Sequence, residues 1–404
     1  MFELIRANKR NSIILMLLMA VVLLLLGYII GIVAVGPDGG FTGLIIATAI
    51  WLLLTLISFS SGDQILLASS KAVPVTHEDH PQLFNVVEEM AISAGLPVPK
   101  VYIIPDHSPN AFATGRTPDS ASVAVTAGLL GRLNRDELQG VIGHEMSHIL
   151  HRDILFVTLA GIMLGSIVLL SEVFMRSMYY GSMGSRRRYS AGSRGSGQAQ
   201  IIMFLIAILA AILAPIMAQL LYFALSQRRE YLADAGSARL TRYPEGLASA
   251  LEKIASDPSP DLAGANKVTA PMYIINPFKK GLNLSEWTST HPPIAERVRI
   301  LRGMTGASFR DYSEAYKSIT GKRTIVPSLA LTKEDVELRR ASAETRQQEL
   351  KSKTHHNIGD IIRQVNGFLF LTCVCGLKMK IPPNFKDSQI VCPKCNNLID
   401  LPRK

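Results

Sequence analysis

The chain has 404 residues, enough for two or three domains, and a formal net charge of +10. A mean hydropathy of +0.24 beside 42 Lys and Arg residues excludes one soluble globule. It points instead to membrane segments joined to polar domains. The first apolar run, Ser12 to Val35, carries no charge and is long enough to span a bilayer. Arg6, Lys9 and Arg10 precede it, but the apolar core is too long for a signal peptide and no small-residue cleavage site follows. An uncleaved anchor is therefore expected. A second run, Phe41 to Phe59, follows the turn Gly36-Pro37-Asp38-Gly39-Gly40 and completes a membrane hairpin. The basic N-terminus places itself, and the segment after the hairpin, on the cytoplasmic side.

Val101–Ile104 and Ala121–Val125 are rich in strand-favouring residues. Between them lie Ala111, Phe112, Ala113 and Thr114, a candidate edge strand that would take up substrate as an added strand; the alternative is an ordinary core strand. The segment His144-Glu145-Met146-Ser147-His148 then has the form H-E-x-x-H. Asn134 and Glu137 form a capping box for its helix, and Leu138, Val141, Ile142, Met146 and Ile149 supply an apolar face. Positions i and i+4 share a face, so His144 and His148 project together and can grip one zinc ion. Glu145 stands beside them as the base that takes a proton from the attacking water.

A third apolar run, Ile154 to Leu170, and a fourth, Ile201 to Leu225 with a kink expected at Pro215, form a second hairpin. The loop between them holds Arg176, Arg186, Arg187, Arg188 and Arg194. If both runs cross, this basic loop lies outside, against the positive-inside rule. Either the hairpin is re-entrant or packed within protein, or the N-terminal charges override the loop. Arg228 and Arg229 after the fourth run, with Arg132, Arg135 and Arg152, support a cytoplasmic active site. Zinc needs a third protein ligand. His151 would share one helix with the other two, which suits a tetrahedral site poorly. Glu230, just after the fourth run, is the better candidate, with Asp234 one turn on to accept a hydrogen bond from a ligand histidine.

H-E-x-x-H, a hydrophobic hairpin and then E-x-x-x-D resemble the HtpX-type membrane zinc metalloproteases, which share their core with the prenyl-protein (CAAX) endoproteases. Asn110-Ala111-Phe112-Ala113-Thr114-Gly115 and Thr290-His291-Pro292-Pro293 with Arg297 extend the match, which covers residues 1 to 305. The resemblance implies His144, His148 and Glu230 as zinc ligands, Glu145 as catalytic base, and quality control of damaged or misfolded membrane proteins. His291 sits before a proline-opened helix, placed either to stabilise the oxyanion or to serve as a turn residue. Arg297 either supports Asp234 or Glu230 from behind or forms a surface ion pair.

After residue 306 the character changes. Thr332 to Lys353 is charged, without an apolar stripe, and reads as an exposed helical spacer. Cys373, Cys375, Cys392 and Cys395 then form two pairs on turns between short strands, which suits a structural zinc with four thiolate ligands; two disulfides are the rival. The expected fold is mainly α: a multi-pass membrane protein with an α+β gluzincin-type metalloprotease domain and a small β zinc ribbon. Its units are a membrane hairpin (1–60), a protease domain (61–305) interrupted by the 154–225 hairpin, a charged linker or helix (306–360) and the ribbon (361–404). Two zinc ions are expected, one catalytic and one structural. The expected partners are protein or peptide substrates and the bilayer of the cell membrane; a protein partner for the ribbon stays open and nucleic acid is not expected. The activities in view are an endopeptidase, a CAAX endoprotease and a non-catalytic zinc scaffold. The intact Glu145 disfavours the last, because a purely structural site needs no base.

Overall fold

A computed structural model describes residues 2–36, 38–184, 197–257, 273–275, 291–322, 326, 331, 336–343, 358–366, 368–374, 377–383, 385, 389–393, 395 and 397–401. Two helices come first, α1 (Phe2–Val35) and α2 (Gly39–Ser69). Within them Lys9–Val35 and Gly39–Ile57 are each long and apolar enough to cross a membrane. The helix α2 continues past the expected boundary at residue 60, because Ser60 to Ser69 keep helical hydrogen bonding without an interruption by Gly-Pro chemistry.

A four-stranded sheet follows, built from β1 (Val73–Pro74), β2 (Lys100–Ile104), β3 (Ala111–Thr114) and β4 (Ser122–Thr126), with α3 (Pro81–Ala94) between β1 and β2. The spatial order is β1-β2-β4-β3. β2 runs parallel to β4, and β1 and β3 are antiparallel to their neighbours, so β3 is an edge strand. The short helix α4 (Ala127–Leu130) leads to α5 (Arg135–Leu150), the helix of the H-E-x-x-H segment. Val86, Val87 and Met90 of α3, Val123 and Val125 of β4, and Val141, Ile142 and Met146 of α5 belong to one buried core. This pins α5 under the sheet along its whole length.

The third and fourth apolar runs are parts of longer helices, α6 (Asp153–Gly184) and α7 (Gly197–Thr241). The α7 helix continues unbroken through Pro215. Losing one backbone donor does not stop a helix whose neighbours hold it in place. Leu15, Met19, Leu23 and Leu26 of α1 pack with Met163, Ile167 and Phe174 of α6 and with Ala207, Ala211, Ala214 and Ala218 of α7. The alanines recur at three- and four-residue intervals and let the helices approach closely. Arg186, Arg187, Arg188 and Arg194 lie outside the described residues.

Beyond α7 come α8 (Pro244–Ala255), α9 (Ile294–Arg302) and α10 (Phe309–Thr320). Phe309, Tyr312, Ala315 and Tyr316 of α10 are buried in the same core as residues of α5 and α9. The expected exposed spacer helix is corrected where the chain is described. Residues 336–342 are non-helical, and Arg339 and Ser342 tie them to the ends of α5 and α7. Arg339 donates through Nη1 to Asp136 (3.0 Å), through Nη2 to Gln139 (3.0 Å) and through Nε to the Thr241 carbonyl (3.1 Å). Its backbone N–H reaches the Arg242 carbonyl at 2.7 Å, and the Ser342 N–H reaches Asp136 at 2.7 Å. Backbone groups of α7's end thus compete for the segment and hold it extended. The last elements are α11 (Ile358–Val365) and two hairpins, β5 (Leu369–Thr372) with β6 (Lys378–Ile381) and β7 (Gln389–Val391) with β8 (Leu398–Asp400).

Candidate active site

The helix α5 starts as its sequence demands. Asn134 Oδ1 accepts from the Glu137 N–H (2.9 Å), and Glu137 Oε2 accepts from the Asn134 N–H (2.9 Å). Two turns later His144 and His148 stand side by side, with Nε2 atoms 3.2 Å apart. The α7 helix lies against the same face of α5. It comes this close because Gly236 has no side chain: a Cβ there would collide with Ser147. Glu230 is thereby carried to the two imidazoles. Its Oε2 lies 3.5 Å from His144 Nε2 and its Oε1 3.5 Å from His148 Nε2. The ligand atoms of His144, His148 and Glu230 all fall within 4.8 Å of one another.

Groups behind the histidines set their outer nitrogens. Asp234 Oδ1 lies 3.0 Å from His144 Nδ1. Arg297 locks that carboxylate with a fork, Nε to Oδ2 at 2.8 Å and Nη2 to Oδ1 at 2.7 Å, and both residues are fully buried. Arg297 Nη1 also reaches Glu230 at 3.5 Å and donates to the Ile274 carbonyl at 3.2 Å. Of the two roles open for Arg297, the buried support is the one the fold adopts. His148 Nδ1 faces Asp153 Oδ2 at 3.5 Å, and Arg229 Nε lies 3.8 Å from Asp153 Oδ1. Asp153 opens α6 and Arg229 follows the apolar part of α7, so this pair ties the ends of the second hairpin beneath His148. Sequence reasoning missed Asp153; its position five residues after His148, at the head of an apolar run, was the available signal.

Burial and charge fix the protonation of these groups. Burial pushes the Glu145 carboxyl up, against the pull of His144 and His148. The nearby Ala113 backbone N–H also pulls it down. Burial opposes a charge on His148, but the carboxylates of Asp153 and Glu230 overrule it and raise its pKa to about 10. His144 is raised in the same way by Asp234 and Glu230. Glu230 is held well below the usual carboxylate range: burial works the other way, and the histidines around it prevail. His291 Nε2 sits 3.9 Å from Glu230 Oε2, and burial lowers its pKa, so its imidazole is neutral.

The fold therefore brings His144, Glu145, His148, Glu230, Asp234, His291 and Arg297 into one cluster, and β3 (Ala111, Phe112, Ala113, Thr114) borders it through Ala113. His151 stays outside the ligand group: its Nδ1 faces Ser147 Oγ at 3.2 Å and its ring lies beside Phe309. At the other end of the chain, Cys373, Cys392 and Cys395 place their sulfurs within 4.8 Å of one another; Cys375 lies outside the described residues.

A buried imidazole, a partly buried one and a buried carboxylate form a donor set suited to zinc. Glu230 Oε2 is buried without a hydrogen-bond partner, as a carboxylate oxygen reserved for a cation would be.

Comparison with known proteins agrees with this geometry. Residues 77–305 match peptidase family M48. A "Protease HtpX homolog" of Dictyoglomus thermophilum is 46% identical over 303 residues, covering 75% of this chain and 94% of the relative. Proteins of the same name from Caldanaerobacter subterraneus subsp. tengcongensis and Listeria monocytogenes serotype 4b are 44% and 42% identical over 305 and 306 residues, 76% and 75% of this chain and 98% and 100% of theirs. The crystal structure of S. mikatae Ste24p aligns over 65% of this chain and 64% of that one at 20% identity, with a TM-score of 0.36, too low to bear on the fold. The chain belongs to peptidase family M48 and is a metalloprotease.

Proposed function

We propose that this chain is a membrane-bound zinc endopeptidase that hydrolyses peptide bonds of membrane or misfolded proteins at the cytoplasmic face of the cell membrane. The observation that carries the reading is the convergence of His144, His148 and Glu230 from two helices separated by an apolar hairpin, with Glu145 beside them. A zinc ion held by these three residues would supply Lewis-acid polarisation of a peptide carbonyl and acidify a water molecule.

The remaining chemistry belongs to the chain. Glu145 takes a proton from the attacking water and passes it to the leaving nitrogen, and its raised pKa suits both transfers. Asp234, itself fixed by Arg297, accepts the Nδ1 proton of His144 and leaves Nε2 with its lone pair facing inward. The Asp153 carboxylate, 3.5 Å from His148 Nδ1, favours the proton on that nitrogen electrostatically. The neutral His291 offers an N–H to the oxygen that gains charge. No covalent acyl-enzyme forms, because no nucleophilic side chain acts.

The packing of α6 and α7 along α1 supports four membrane crossings, with apolar outer faces such as Leu205, Leu209 and Ile216 turned away from the bundle. The charges of Arg6, Lys9 and Arg10 then set the side of the active site. The two C-terminal hairpins, too small to stand without a staple, would hold a second zinc through Cys373, Cys375, Cys392 and Cys395.

Metal content and turnover together test this. The full chain in detergent should carry two zinc ions, one lost with His144→Ala and the other with Cys392→Ser. Glu145→Gln should keep both ions and cut casein hydrolysis by about 10²–10⁴-fold. Wild-type turnover in the Glu145 variant, or two ions in the His144 variant, would defeat the assignment.

A further inference from the structure

Two routes through the fold connect the edge of the apolar bundle to the catalytic cluster. The helix α2 leaves its apolar span, Gly39–Ile57, and continues to Ser69. Phe59 is the last apolar residue before Ser60, Ser61, Gly62 and Asp63. The exposed Arg116, just after β3, places its guanidinium over the Phe59 ring, 5.7 Å from the centroid. A guanidinium is costly in hydrocarbon, and a cation over an aromatic ring suits the boundary between membrane and water. Phe59 therefore marks the bilayer edge on the side of the active site.

From Phe59 the helix rises eleven residues to its C-cap, Ser70, which is about 16 Å at 1.5 Å per residue. Ser70 Oγ pairs with the Tyr273 hydroxyl at 3.0 Å. The carbonyl of the next residue, Ile274, accepts from Arg297 Nη1 at 3.2 Å, and the same nitrogen lies 3.5 Å from Glu230 Oε2. The strand β3 crosses the same gap. Arg116 stands at Phe59, and five residues back the Ala111 carbonyl accepts from the Ile274 N–H at 3.0 Å. Five extended residues reach at most about 16 Å, so strand and helix agree. Tilt of α2 makes this an upper limit. The helix α7 supplies the lower one. Its apolar run ends at Leu225, Arg228 is exposed, and Glu230 lies five residues past Leu225, about 8 Å along the helix. Leu66 and Leu67 of α2 are buried with Ile104, Phe112, Ala124 and Tyr273, which fixes helix and sheet to one another.

Resting on the membrane-peptidase reading above, we propose that the cleavage centre is held about 8–16 Å off the bilayer surface and that this height selects which bonds of a membrane substrate are cut. An extended chain advances about 3.3 Å per residue, so the first bond within reach lies about three to five residues beyond the substrate's apolar span. Bonds inside the bilayer, and those directly at its edge, are out of reach. The substrate class is a membrane protein with a short unfolded stretch beside its span. The embedded product keeps a stub of at least about three residues.

The test uses the zinc-loaded full chain in lipid vesicles, together with a single-span substrate whose exposed tail carries one readily cleaved segment. Spacers of increasing length, from none upward, move that segment away from the span, and mass spectrometry locates each cut. Without a spacer kcat/KM should fall at least about tenfold, since a bond held some ångströms from the reacting groups loses its alignment. It should recover once about three to five residues intervene. Undiminished cleavage without a spacer, a cut inside the apolar span, or an onset beyond about six residues would each overturn the proposal. The same segment as a free peptide separates the two readings: if the zinc-loaded vesicles leave it intact, the peptidase reading itself falls.

Discussion

Arg297→Ala removes a guanidinium that never meets solvent. It deletes two hydrogen bonds to Asp234, at 2.8 and 2.7 Å, and one to the Ile274 carbonyl at 3.2 Å. A buried carboxylate that loses its partner costs about 3–5 kcal/mol. Asp234 escapes part of that cost by binding a proton. Burial already favours its neutral form, and the positive charge of Arg297 is the main force holding its pKa down. In the intact protein this charged form contributes stability above the ordinary aspartate range, and the contribution is lost as pH falls through the depressed pKa. Once protonated at neutral pH, Asp234 offers His144 Nδ1 a donor in place of an acceptor. The imidazole proton then moves to Nε2, the atom that faces Glu230. A ligand in the wrong tautomer loses metal affinity, by about 10–100-fold for outer partners of this kind. Competition with a chromogenic chelator measures that loss directly, and a thermal scan of the metal-free protein measures the stability cost separately. Arg297→Lys keeps the charge without the fork and should fall between. A folded Arg297→Ala protein that binds zinc within twofold of wild type would refute this chain of reasoning.

The titration of the site predicts proton release on metal binding. With a pKa of about 10, His148 carries a proton at neutral pH in the metal-free protein, so a cation must displace it. Zinc affinity should rise with pH between about 6 and 9, and calorimetry in buffers of different ionisation enthalpy should count at least one proton released per catalytic ion; a pH-independent affinity would contradict the arrangement. Arg339→Ala strips the almost fully buried Asp136 of its cation, although the Ser342 N–H remains. Because Arg339 is about one-third exposed, the expected loss is about 1–3 kcal/mol. The thermal midpoint should drop while zinc content stays unchanged; an unmoved midpoint would show the 336–342 segment to be idle.

Local signals served well where local physics decides. The capping box of α5, the i, i+4 histidines and the i, i+4 acids of α7 are fixed by helical geometry, so their residues could be read from spacing. The four C-terminal strands, expected from the sequence at 368–372, 377–381, 390–391 and 398–401, begin and end within about a residue of those bounds. Contacts between distant segments were not legible in this way. Arg339 and Asp136 are 203 positions apart. Nothing in the charged stretch around Arg339 distinguishes a solvated helix from a non-helical segment bonded to another helix's end. Ile274 is likewise an unremarkable apolar residue until it is seen to close the edge of β3.

By itself the sequence determined which donors could share one site: two imidazoles on one helical face, a glutamate between them and a carboxylate after an apolar fold-back. Those features depend on the periodicity of single helices and on residue type alone. The tertiary structure alone decided which groups stand behind His144, His148 and Glu230, and that α10 packs into the same core as α5. Each of these depends on which buried polar group finds which partner, and desolvation enforces that pairing only once the helices and sheet have packed.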